Sequence, residues 1–432
     1  MHFICKSYLT CFIEGGYIAD RILGYQHSIL LGAVFMSIGL FLIAYPDPKI
    51  FKLGLATIII GNGLFKPNIS TLVGKLYDAT DSRRDIGFTI FYMGINTGGC
   101  IAPLFTGLLA EKIFGSSAMP AYKAVFIAGG FGMVMCLVWF SIGRRMLKGI
   151  GRPMVEAGNL LRLFGVTVGV LIAIPVTYAL LSYSAGTIQW VLGGMFIALS
   201  VALLVEGFRN GKVARDKVLA MLCIFTFNII FFMFFEQAGS SFTFLASDIV
   251  DRNLNGFIFP TGWFQSVNSL VIVLLAPVVA GIWIFLTRRK MEVSVPQKFA
   301  LGLIGNALAF GLLMFVLSSL VDANNKIPFW SLIMVYVFQS IGELCLSPIG
   351  LSMVTKLAPV RLVGLGMGGW FLSTGIGNNL SGIFAGYVSG TNGLSIASAL
   401  QGYTFGFYSL LGAGIFLLLI AHLVQKLMHG VK

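Results

Sequence analysis

The 432 residues are 57% apolar and only 10% charged, with a mean hydropathy of +0.91 and a formal net charge of +13. A soluble chain of this length could not cover its surface with so few charges. Apolar runs recur from end to end, which reads as an all-α, polytopic membrane protein, since a barrel would show short alternating strands instead.

About 13 runs are long enough to cross roughly 30 Å of hydrocarbon. They lie near residues 3–19, 28–45, 53–73, 87–110, 122–142, 163–183, 188–206, 217–246, 262–286, 299–320, 329–356, 363–388 and 403–426. The 53 glycines suit close packing between helices in lipid. Basic residues fall on one side if the runs alternate: Arg83/Arg84, Arg144/Arg145/Lys148/Arg152, Arg209/Lys212/Arg215/Lys217, Arg288/Arg289/Lys290, Lys356/Arg361, then Lys426 and Lys432. The opposite loops, around Pro46, Ser116, Asp251 and Asn324, are poor in Lys and Arg. The positive-inside rule therefore puts the C-terminus in the cytoplasm and accounts for the net charge without nucleic acid. An odd number of spans would start the N-terminus outside. No A-x-A-like cleavage site follows the first run, so a removable signal peptide is not expected. Cys5, Cys11, Cys100, Cys136, Cys223 and Cys345 form no CxxC pair and read as small packing residues.

Three charged residues interrupt apolar runs: Lys66 in GNGLFKPNIS, Glu236 in FFMFFEQAGSS and Glu343 in IGELCLSPIG. An ionised side chain at the bilayer centre costs at least about 2.5–3.5 kcal/mol, so each must face a polar cavity or a partner. Asn62, Lys66 and Ser70 share one helix face, and Pro67 removes a backbone donor beside them. An ammonium there can hold a carboxylate; alternatively Lys66 snorkels to an interface. Gln339, Glu343 and Ser347 form a polar stripe that ends at Pro348. A carboxylate in that position can alternate between a proton and an ammonium, or can serve a helix–helix hydrogen bond. Glu236 precedes Gln237 and shares a face with Ser240; it is a site residue or a structural ion pair. Glu14 also lies in an apolar run and has no assigned role. Tyr92 and Asn96 share a face one turn apart. One cation and two carboxylates in an oily chain point to transport of something that carries both charges.

Enzyme signatures are missing from the sequence: there is no GxSxG, HExxH or Walker A string and no set of metal ligands. His2, His27, His422 and His429 lie near the ends of runs, and the GMGG around Gly366 sits in a helical context. No enzyme activity, metal or cofactor is expected.

Five colinear blocks carry a resemblance over nearly the whole chain. They are GGYIADRILGYQHSILLG (15–32), GNGLFKPNISTLVGKLY (61–77), FTIFYMGINTGG (88–99), FFEQAGSSFTFLA (234–246) with FPTGWFQSVNSL (259–270), and GELCLSPIGLSMVTKLAP (342–359). The chain resembles the proton-dependent oligopeptide transporter family of the major facilitator superfamily. The resemblance implies two six-helix bundles with two extra helices between them. It divides the chain into an N-terminal bundle over 1–142, the two extra helices over 143–216, and a C-terminal bundle over 217–432. The family's first helix, with its ExxERFxYYG motif, is expected to be absent, because no such string occurs.

The resemblance also implies roles. Lys66 serves the substrate carboxylate or proton coupling. Glu343, with Asn96 and Asn268, receives a peptide's amino terminus, and Glu236 serves gating and proton coupling. Tyr8, Tyr92 and Trp370 shape side-chain pockets, and Asp20 and Arg21 form a structural loop motif. Ser269 stands where the family often has proline. The expected function is proton-coupled symport of di- and tripeptides by alternating access, as a monomer in the bacterial inner membrane, with the proton as coupling ion. A non-transporting remnant, or a symporter of another small zwitterion, are the alternatives.

Overall fold

Apolar stretches of about 20 residues become helices in a bilayer because only a helix satisfies every backbone donor and acceptor within its own segment. The computed structural model follows that rule. It describes residues 19–76, 83–147, 149–151, 159–291, 293–358, 363–390 and 393–431. The helices are α1 (Tyr25–Ile43), α2 (Pro48–Lys75), α3 (Arg83–Leu108), α4 (Tyr122–Gly143), α5 (Asn159–Leu180), α6 (Ala185–Arg209), α7 (Lys212–Phe235), the short α8 (Ser241–Asp248), α9 (Phe264–Arg288), α10 (Val295–Ser319), α11 (Phe329–Leu357), α12 (Val363–Ser389) and α13 (Ile396–Leu427). Eleven of the described helical segments are long and apolar enough to cross a membrane. The expected run at 3–19 lies outside the described residues. A two-residue antiparallel hairpin, β1 (Asn253–Leu254) with β2 (Phe257–Ile258), follows α8.

Helix starts are written locally. Asp47 accepts from the backbone N–H groups of Lys49 and Ile50 ahead of α2, with Pro48 at the first helical position. Ser294 and Gln297 form a capping box at α10. The single span expected at 217–246 lies within one membrane-length segment, Lys212–Asp248, but its helix is interrupted: α7 stops at Phe235, a 3-10 turn covers Glu236–Gly239, and α8 begins at Ser241. The break is held by Gln237, whose amide donates to Met233 O and to Ser381 O, both at 3.0 Å.

The chain forms two compact units. One contains residues 2–95 and 105–184, the other residues 96–104 and 185–432. In the first, α1 and α2 run antiparallel with backbones in contact. A Cβ on Gly32 would lie 2.6 Å from Gly61 O, and one on Gly39 would lie 2.8 Å from Gly54 O. The seven-residue spacing along each helix, Gly32 to Gly39 and Gly54 to Gly61, keeps the glycines on one seam. Leu23, Phe35, Ile59, Ile60 and Leu64 pack there with Val166, Val170 and Ile174 of α5. Phe41 of α1 meets Phe131 of α4 edge to face, at 5.4 Å.

In the second unit α10 packs between α11 and α13. A Cβ on Gly302 would lie 2.9 Å from Gly342 O. Buried Phe225, Phe231, Phe234, Phe242 and Phe310 fill the interior with Tyr336 and Tyr403. α6 packs on α7 and α12, where Asn379 donates to Gln189 Oε1 at 2.8 Å. Asp216, at the start of α7, is gripped by Arg215 at 2.8 Å and by His429, after α13, at 3.1 Å.

Candidate functional site

α11 crosses an apolar layer yet carries Tyr336, Gln339, Ser340 and Glu343 on successive turns. Their hydrogen-bond partners sort them. Ser340 and Glu343, three apart, share a face, and Asn268 of α9 bridges them. Its side-chain Nδ2 lies 2.9 Å from Ser340 Oγ and 3.4 Å from Glu343 Oε2. Gln339 turns another way: it is fully buried and donates to Asn306 Oδ1 at 3.1 Å and to Phe234 O at 3.4 Å. The sequence stripe Gln339–Glu343 is therefore split between interhelical packing and the site.

α9 is tied in turn to the 96–104 stretch of α3. Ser266 Oγ donates to Cys100 O at 2.7 Å, and Trp263 Nε1 donates to Leu104 O at 2.8 Å. Gly99 permits the approach, because a Cβ there would sit 2.5 Å from Ser269 Oγ. Asn96, Cys100 and Leu104 recur every four residues, so Asn96 lies on the face that meets α9, and its side chain is buried. The structure thus brings Asn268 and Glu343 into direct contact and places Asn96 on the helix face packed against Asn268's helix.

Glu236 begins the 3-10 turn after α7, half-buried, and lies within electrostatic reach of Glu343. The turn is set in a buried polar network. Ser241 Oγ donates to Gln237 Oε1 at 2.7 Å, and Tyr336 Oη donates to Ala238 O at 3.2 Å. Trp370 is 5% exposed and packs edge to face on Phe225 and Phe299, against Gly350. Its ring serves the interior of this unit.

In the other unit Lys66 stands exposed in the middle of α2. Pro67 removes an N–H from this stretch, and the neighbouring carbonyls are taken up by side chains: Ser70 donates to Lys66 O at 3.1 Å and Thr71 to Pro67 O at 2.9 Å. Asn62, one turn before, is buried. Tyr92 is half-buried on α3. Tyr8 and Glu14 lie outside the described residues. The backbone of Asp20 and Arg21 forms part of a π-helical turn, Ala19–Leu23.

Sequence reasoning missed Ser340, Ser266, Asn306 and the Gln237 network. The available signal was the same one that marked Glu343: polar groups within a span seek partners.

The POT family model matches residues 26–397. The chain is 35% identical over 407 residues to the peptide transporter YePEPT of Yersinia enterocolitica, covering 89% of this chain and 78% of that one. It is 32% identical over 378 residues to dipeptide and tripeptide permease B of Salmonella typhimurium, covering 86% and 75%. Among solved structures, it is similar to a crystal structure of a peptide transporter POT in complex with alafosfalin, with a TM-score of 0.83, 29% identity, and 99% and 86% of the two chains covered.

Proposed function

The chain belongs to the POT family, and from that premise we propose that it is a proton-coupled symporter of di- and tripeptides working by alternating access. The observation that carries this reading is the Asn268–Glu343 contact inside α11's span, with Glu236 in the same electrostatic neighbourhood. With two carboxylates present, a proton neutralises one while the peptide's ammonium answers the other, so that both are carried together. That co-occupancy is the elementary requirement of symport. Lys66, exposed mid-helix in the first unit, is by the family resemblance the candidate partner of a carboxylate. The name of the Salmonella relative, a permease of dipeptides and tripeptides, supports the substrate length.

An inward gradient supplies about 2.3 kcal/mol per charge per 100 mV of potential. The positive loops orient the C-terminus toward the cytoplasm of a bacterial inner membrane. The test is accumulation of a labelled dipeptide in proteoliposomes holding an inward proton gradient. Uptake that persists unchanged when a protonophore collapses the gradient rules out symport.

A further inference from the structure

Ser340 is fully buried on α11, three residues before Glu343. Its hydroxyl oxygen has three polar neighbours: Tyr336 O at 2.7 Å, Asn268 Nδ2 at 2.9 Å and Asn268 O at 3.3 Å. A hydroxyl has one proton and two lone pairs. The shortest contact, back to the carbonyl one turn earlier, takes the proton. What Ser340 then offers Asn268 is an acceptor only. The amide can meet it only through its NH2 group, so Oδ1 must turn the other way. In the flipped orientation Oδ1 would face a hydroxyl with no proton to give and a carboxylate oxygen of Glu343, two acceptor-to-acceptor contacts in a buried place.

Glu343 alone holds the amide in this orientation most strongly while it is an unoccupied carboxylate. Once it binds a proton or an ammonium, that hold weakens. Ser340 carries no charge, and its acceptor role does not change. Resting on the symport reading above, the geometry points to Ser340 as a positioning residue. It fixes the Asn268 amide through every protonation state of Glu343, keeping Asn268 Oδ1 turned away from Ser340 as an acceptor for the substrate's ammonium.

The test is a double-mutant cycle on the full chain in proteoliposomes, with Ser340→Ala, Asn268→Ala and the pair. Affinity is read as KM for dipeptide uptake and as Kd from thermal stabilisation of the purified protein by the same dipeptide, so a variant that binds without cycling still reports. Ser340→Ala is expected to weaken affinity about 3- to 10-fold, with the maximal rate per folded molecule little changed. In the Asn268→Ala background it is expected to add nothing. Ser340→Cys, which keeps a weak donor and acceptor at similar volume, is expected to fall between wild type and Ala, and it replaces Ala in the cycle if Ala does not fold. Wild-type uptake with an unchanged Ser340→Ala affinity overturns the positioning role and leaves the symport reading standing. The same holds for an equal loss in both backgrounds. A wild-type protein that neither takes up nor binds the dipeptide removes the symport reading and this inference with it.

Discussion

Glu343→Gln separates charge from shape at the site. The glutamine keeps the volume and an oxygen for Asn268 Nδ2, which lies 3.4 Å from Glu343 Oε2 in the native protein. Only the negative charge is lost. A hydrogen bond to a charged group contributes about 1.5–3 kcal/mol and a neutral one about 0.5–1.5, so the substitution costs about 1–1.5 kcal/mol for a substrate that presents an ammonium. That is a rise of about 5- to 12-fold in KM for a dipeptide with a free amino terminus. For an N-acetylated dipeptide, which has no ammonium, no rise is expected. The assay is counterflow exchange in proteoliposomes without a gradient, which isolates recognition from proton drive. Equal changes for the free and acetylated peptides would refute the assignment of Glu343 to the amino terminus and leave it with a role in coupling or packing.

Lys66→Ala is expected to raise KM about tenfold for a dipeptide with a free carboxylate and much less for its carboxyl amide; competition by both compounds against one labelled substrate measures this. Gly61→Val puts branched carbon against a backbone oxygen that cannot give way, since even a Cβ would lie 2.8 Å from Gly32 O, and is expected to cost about 1–3 kcal/mol or more, seen as a fall in melting temperature in detergent and in folded yield. Gln237→Ala strands a buried set of partners at Ser381 and Ser241 and is expected to destabilise by about 1–3 kcal/mol, with protease cleavage near residues 236–240 as the more local readout.

The spans were legible because hydrophobic runs of membrane length have few folded alternatives, and the structure places helices on the runs from 28–45 onward. The interruption of the helix within 217–246 was not read: it falls on EQAGS, where Gly239 and Ser240 weaken a helix, and Gln237 there meets Ser381, 144 residues away, a contact that the sequence does not announce. Charge within apolar runs made Glu343 and Lys66 conspicuous; the structure puts Glu343 against Asn268 and leaves Lys66 exposed. The pairing of Asn268 with Glu343 required the family resemblance, because nothing in either segment specifies the other. Ser340 stayed hidden for a different reason: a serine in a membrane helix ordinarily bonds its own carbonyl four residues back, as this one does, and its second contact exists only in three dimensions. Where Trp370 packs likewise depends on Phe225, Phe299 and Gly350, none of them close to it in sequence.

The glycine seam between α1 and α2 bears on how this half of the molecule assembles. In lipid the tails are as apolar as any side chain, so helices gain little by hiding leucines from their surroundings and must gain by fitting closely. Glycine surrenders no rotamers when it is covered. Two antiparallel helices touching at Gly32–Gly61 and Gly39–Gly54 therefore dock without freezing side chains along the line of contact. The connection between them, residues 44–47, is short. The close fit lies between two helices adjacent in sequence, so it is a local contact of the chain, and α4 packs on its first helix and α5 on its second.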